Sequence, residues 1–200
     1  MFSLNVPLPP AVDQLAADLH PKRSGFDRVR ERHALVCKRF GTDDVSGAGR
    51  DASDADASGA DREFTAVPSR ADALDRLRER LRRPLRGTAP FDVAVTGVDV
   101  FDAPASGSAP VVYLAVESEG LVRLHDRLCA AFGAVEGIEG DSYVPHVTLA
   151  RGGNPEPGAV AGLVDAAFEP IRWRVHALDV WDPEFREVAA TVELYARTDR

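Results

Sequence analysis

Residues 142–151 read SYVPHVTLAR, a run with the pattern of a buried strand that nevertheless carries an imidazole. Side chains alternate between faces along a strand, so His146 and Thr148 share one face while Val147 and Leu149 share the other. Pro145 suits the first position of a strand, where its missing N–H removes no ladder bond. One face therefore packs, and the other offers a titratable nitrogen beside a hydroxyl. A lone strand histidine is most often a hydrogen-bonded core residue. A second one, delivered to the same place by another part of the chain, would turn the pattern into chemistry.

Working outward, the chain alternates strands and helices. FSLNV is a short strand, and after PLPP the residues Val12, Leu15, Ala16 and Leu19 recur with the spacing of an amphipathic helix. HALVCKRF reads as a strand. SRADALDRLRERLRR follows as a helix, with Ser69 as its N-cap and Leu74, Leu77 and Leu81 as its buried stripe. FDVAVTGVDVF and APVVYLAVE are strands joined by a Gly/Ser/Pro turn. Leu121, Leu124, Leu128 and Phe132 mark a third helix, and Pro157 opens a fourth that carries Val160, Leu163, Val164 and Ala167. IRWRVHALDVW and EVAATVELYAR close the chain as two strands about a turn at Asp182-Pro183. The order repeats loosely, as two similar halves with one strand histidine each. Residues 41–61, GTDDVSGAGRDASDADASGAD, hold too little apolar surface to offset the entropy of ordering them, and read as a disordered acidic insertion.

The totals bound the answer further. Two hundred residues suffice for one substantial core, either a single domain or two small lobes sharing an interface. No run approaches the roughly 18 apolar residues of a membrane span, and the N-terminus lacks a signal-peptide pattern, so a cytoplasmic protein without membrane contact is expected. Cys37 and Cys129 have no metal-ligand spacing. The net charge of -8 comes from an acid complement that is mostly aspartate and a base complement that is almost all arginine, Lys22 and Lys38 being the only lysines. That balance fits a high-salt cytoplasm or a GC-rich genome. It argues against non-specific binding of long nucleic acid but leaves room for a local phosphate pocket. There is no GxxxxGK[ST] loop, no K-x-D-G context and no local metal motif.

Of the five histidines, His20 sits at a helix end, His125 reads as a surface or boundary helix residue, and His176 shares a strand face with Arg174. That leaves His33 in RERHALVCKRFG. Alternation groups it with Leu35, Cys37 and Arg39, and puts Ala34, Val36, Lys38 and Phe40 on the other face.

The strand PHVTLAR, the earlier strand opening on His33, the N-terminal SLNVPLPPAV and the intervening FDVAVTGVDVF…APVVYLAVE together resemble the 2H phosphoesterase superfamily, and within it the branch named for the 2'-5' RNA ligase. The resemblance covers nearly all of the chain outside residues 41–61. It implies an α+β, bilobal fold spanning residues 1–200, with two pseudo-symmetric lobes whose antiparallel sheets line a central cleft and whose helices lie outside. It also implies that His33 and His146 act as general acid and base across a phosphodiester, without metal, ATP or other cofactor. Thr148 would hold a non-bridging oxygen. Arg151 and Arg39 would complement its charge, although strict alternation sends Arg151 to the face opposite His146. Tyr143 would stack on a base or serve as a boundary aromatic. The family pattern has Ser or Thr two residues after the first histidine, where this chain has Leu35. A bulge could shift the register, Arg39 could substitute, or activity could be reduced.

The expected substrate is RNA ending in a 2',3'-cyclic phosphate, tRNA fragments among them, or a small cyclic nucleotide. The reaction gives 2'-phosphates and is reversible as 2'-5' RNA ligation, by a monomer. The rival expectation is a catalytically weak protein that binds RNA ends or cyclic nucleotides, which the missing hydroxyl favours.

Overall fold

The computed structural model describes residues 2–20, 23–45 and 69–196. Its strands are β1 (Phe2–Val6), β2 (Arg28–Val29), β3 (Leu35–Phe40), β4 (Phe91–Phe101), β5 (Val111–Glu117), β6 (His146–Arg151), β7 (Ile171–Val175), β8 (Ala177–Asp182) and β9 (Glu187–Glu193). They join in one antiparallel sheet with the order β7-β4-β5-β6-β3-β1-β8-β9, and β2 adds to β6. The helices are α1 (Pro10–Asp18), α2 (Thr42–Val45), α3 (Arg70–Leu85), α4 (Glu119–Phe132) and α5 (Pro157–Val164). This is an α+β architecture, as expected.

The alternation in the strands decides which face holds the core. Phe2, Leu4 and Val6 of β1 are buried, as are Leu178 and Val180 of β8 and Val112, Leu114 and Val116 of β5. These pack with Leu77 and Leu81 of α3 and with Leu121, Leu124 and Leu128 of α4 in one cluster. Ser69 caps α3 by accepting from the Asp72 N–H, and Ser118 caps α4 in the same way from Leu121. The intervening strand residues, such as Ser3, Asn5, Asp179 and Trp181, face a cleft on the opposite side of the sheet.

Several local expectations change. IRWRVHALDVW reads as one strand in the sequence, but it divides at His176. Its first part pairs with β4 and its second with β1, which lie in different halves of the sheet. A single residue thus joins strands from the two halves, which requires the sheet to curl. Residues 42–45 form a helical turn with Val45 buried, in place of the expected loop. Residues 46–61 of the expected insertion lie outside the described residues. The short Arg-rich strand β2 carries no apolar pattern that would announce it.

His125 is fully buried, against the surface or boundary position expected. It lies four residues after Leu121 and three before Leu128, on the apolar stripe itself. Nδ1–H donates to the Cys37 carbonyl at 2.7 Å and Nε2 accepts from the Gly140 N–H at 2.9 Å, so both ring nitrogens are satisfied. Among the described residues no helix is long and apolar enough to cross a membrane.

Candidate functional site

The two halves of the sheet meet where β3 touches β6, and they touch at one residue pair, Leu35 opposite Val147. Both side chains are fully buried. In an antiparallel pair a pseudo-two-fold axis through that contact makes Leu35 the counterpart of Val147. Ala34 is then the counterpart of His146, and Val36 of Thr148. Beyond the contact the strands splay apart, and the space between them is a cleft of about 1570 Å³.

Each strand then carries a bulge at the same step. In β3, Leu4 of β1 pairs with Lys38 and Asn5 with Val36, so Cys37 has no partner on β1. In β6, Val112 of β5 pairs with Ala150 and Tyr113 with Thr148, so Leu149 has no partner on β5. One extra residue reverses the faces of all that follow. Arg151 therefore joins His146 and Thr148 on the cleft side, where strict alternation would send it to the core. Arg39 joins Val36 by the same device, three residues on. His146, Thr148, Arg151, Arg39, His33 and Tyr143 all line the one cleft.

The faces expected for the first histidine strand are corrected in consequence. The strand begins at Leu35, and His33 precedes it in an extended loop. Leu35, Cys37, Lys38 and Phe40 are buried, while Val36 and Arg39 face the cleft. The counterpart of Thr148 on this pairing is Val36, and Leu35 is a core residue like Val147. His33 sits one residue before the counterpart of His146, which is an alanine.

His146 has a defined tautomer. Its Nδ1 lies 2.7 Å from the Val144 carbonyl, which can only accept, so Nδ1 carries the proton and Nε2 keeps its lone pair. Phe101 and Tyr113 meet the ring edge-on, each with centroids 5.3 Å away. Burial lowers its pKa below the ordinary histidine value. The Val144 hydrogen bond opposes this, and the positive charges of Arg39 and Arg151 reinforce it. His33 has a different neighbour. Its Nδ1 is 3.1 Å from an Asp13 carboxylate oxygen, its side chain is 6% exposed, and its buried Nε2 has no partner.

The Leu149 carbonyl at the β6 bulge accepts from the Arg30 N–H at 2.8 Å and from Arg23 Nη1 at 3.2 Å. Arg23 is buried and reaches the Ala16 carbonyl of α1 as well. On the other side, Tyr143 stacks on His125 with centroids 3.7 Å apart, and its hydroxyl donates to the Val36 carbonyl at 2.8 Å. These braces, together with Asp13 on α1, are not singled out by the sequence. The spacing of His125 on the α4 stripe is the one available signal. No group of three or more His, Cys, Asp or Glu among the described residues is placed to hold a metal ion.

The family model of the 2'-5' RNA ligase superfamily matches residues 65–185. That stretch includes β6 with its histidine and leaves out β1, β2 and β3. By structure the chain is similar to the protein TT0787 of Thermus thermophilus, with 20% sequence identity, a TM-score of 0.59 and 98% of each chain covered. At that identity the likeness speaks for the fold. No curated protein matches in sequence.

Proposed function

The chain belongs to the 2'-5' RNA ligase superfamily, and from that we propose that it opens 2',3'-cyclic phosphate ends of RNA to 2'-phosphates with His146 as general base and His33 as general acid. The observation that carries this reading is that His146, Thr148 and His33 line one cleft together with Arg39 and Arg151, which two matched bulges turn towards it. His146 Nε2 takes a proton from the attacking water as its oxygen bonds to phosphorus. The bond from phosphorus to the 3'-oxygen breaks, and His33 supplies the proton that makes this oxygen a hydroxyl. A neutral ring with a free lone pair suits the first task. The Asp13 carboxylate orients the second ring and complements its charge. Thr148 donates to a non-bridging oxygen, and Arg39 and Arg151 balance the charge that accumulates there. A 5'-hydroxyl in place of water would give a 2'-5' linkage by the same steps, without ATP.

Incubation with an oligonucleotide ending in a 2',3'-cyclic phosphate, with chelator and without ATP, tests the reading. Ring opening lost in both His33→Ala and His146→Ala supports it. Tight binding with no turnover favours the second reading, a binding protein for RNA ends or cyclic nucleotides. The specific observation behind that alternative is the pair Ala34 and Val36, which stand where the other half has His146 and Thr148.

Two variants probe the altered half. Val36→Thr restores a cleft hydroxyl opposite Thr148, and a hydrogen bond to a charged group contributes about 1.5–3 kcal/mol. It is expected to raise kcat/KM at least about tenfold; an unchanged value would mean that the phosphate does not approach β3. Asp13→Asn is expected to lower kcat about tenfold or more, since an amide no longer enforces the proton on Nδ1. Glu at the same position should restore part of it, which a loss of helix stability alone would not explain.

A further inference from the structure

Arg28, Arg30, Arg39 and Arg151 stand close together in a chain whose net charge is -8. None of their guanidinium groups has a hydrogen bond or ion pair with any described residue, and Arg151 Nε is buried without a partner. Arg28 lies directly across the ladder from Arg151. Residues directly opposite share a face, with Cβ atoms about 4.5–5.5 Å apart, and like charges there are destabilising. Burial lowers the pKa of Arg151 first, and Arg30, Arg28 and Arg39 each lower it further, as befits cations without a counter-charge. Such an arrangement favours an anion among them.

One phosphate does not account for the row. Arg39 and Arg151 come from the two bulged strands and flank the cleft beside His146. Arg28 opens the edge strand β2 and Arg30 directly follows it, two residues and so about 6.6 Å apart in extended chain. Arg30 lines the cleft and both side chains are exposed. The cleft of about 1570 Å³ also exceeds the roughly 300–1,000 Å³ that suits a small ligand.

We propose that Arg28 and Arg30 bind a second phosphate, the diester on the 5' side of the terminal nucleotide, so that the cleft takes the end of an oligonucleotide in preference to a mononucleotide. The proposal rests on the reacting phosphate lying between Arg39 and Arg151, as argued above. The phosphate contact carries no base information, so the preference is for chain length and not for sequence.

Two unreactive probes test it: adenosine 2'-monophosphate, and the dinucleotide ApA ending in a 2'-phosphate, which adds one diester. Wild-type protein is expected to bind the dinucleotide at least about tenfold more tightly, with a log–log salt slope steeper by about 0.7. In Arg28→Gln/Arg30→Gln, both exposed positions, the ratio of affinities should fall towards one. Equal affinities in the wild type would overturn the proposal, and so would a ratio that the double variant leaves intact. The same protein is then given the cyclic-phosphate forms of both probes. Binding ratios as expected without turnover would refute the enzymatic reading and leave the second phosphate site standing.

Discussion

Replacing His146 with alanine is expected to lower kcat for cyclic-phosphate opening by roughly 10²–10⁴-fold. The fold should survive, because the ring packs edge-on between Phe101 and Tyr113 at the cleft wall and its one hydrogen bond is to a local carbonyl. The size follows from what is lost: Nε2 is a lone pair on a fixed ring, and no other group on β6 can take a proton. Thr148→Val, next on the same face, removes a donor without touching the base. It should cost less than His146→Ala and should leave the pH profile in place. An alanine variant that keeps wild-type kcat would end the assignment of the base.

The pH dependence has a defined sign. The pKa of His146 lies below the ordinary value of about 6.5. The ring is therefore neutral at pH 7, and the acid limb of the rate should set in as the pH drops through the lowered value. Arg39→Gln and Arg151→Gln each remove a positive charge that depresses it, so the acid limb should move upward in both. Stability follows the same linkage. A histidine whose folded pKa is depressed contributes stability that is fully present above its unfolded pKa and is lost as pH falls towards the folded value. Thermal unfolding between pH 7.5 and pH 5 should show that loss in the wild type and less of it in His146→Ala.

The elements of the fold are legible in the sequence because periodicity writes them directly. Ser69 with the Leu77 and Leu81 stripe marks α3, and alternation marks β1, β5 and β6. The bulges are not legible. Cys37 and Leu149 are ordinary strand residues, and what makes them bulges is the spacing of partners on β1 and β5. That spacing alone turns Arg39 and Arg151 to the cleft together. A local offset from His33 points to Leu35 as the counterpart of Thr148, whereas the contact between Leu35 and Val147 gives that place to Val36. His125 looks like a boundary residue only when its polarity is weighed above its place on the α4 stripe. Asp13 and Glu139 leave no local signal, since each meets its partner across a long stretch of chain.

Glu139→Ala, at a buried side chain, is expected to cost about 3–5 kcal/mol and to lower Tm by roughly 6–20 °C. Past Leu35 the strand β3 has left β6, so its backbone and bulge must be satisfied by side chains. The Tyr143 hydroxyl takes the Val36 carbonyl, and His125 takes that of Cys37. Glu139 does the rest. One oxygen accepts from the Arg39 N–H at 2.8 Å, and the other from the Val135 N–H at 2.9 Å and from Lys38 Nζ at 2.6 Å. Both Lys38 and Glu139 side chains are 1% exposed. Truncating the acid leaves a buried ammonium without a counter-charge and two N–H groups without acceptors. Lys38→Met should cost less, because the carboxylate it strands still receives those two N–H groups. Lys38→Met/Glu139→Gln removes both charges and keeps an acceptor, so the double variant should be more stable than the sum of its single losses predicts. Since the pair fixes the backbone of Arg39, activity should track the geometry and not the charge, returning with the double variant. Additive losses, or a Glu139→Ala protein as stable as the wild type, would show that the bulge holds itself.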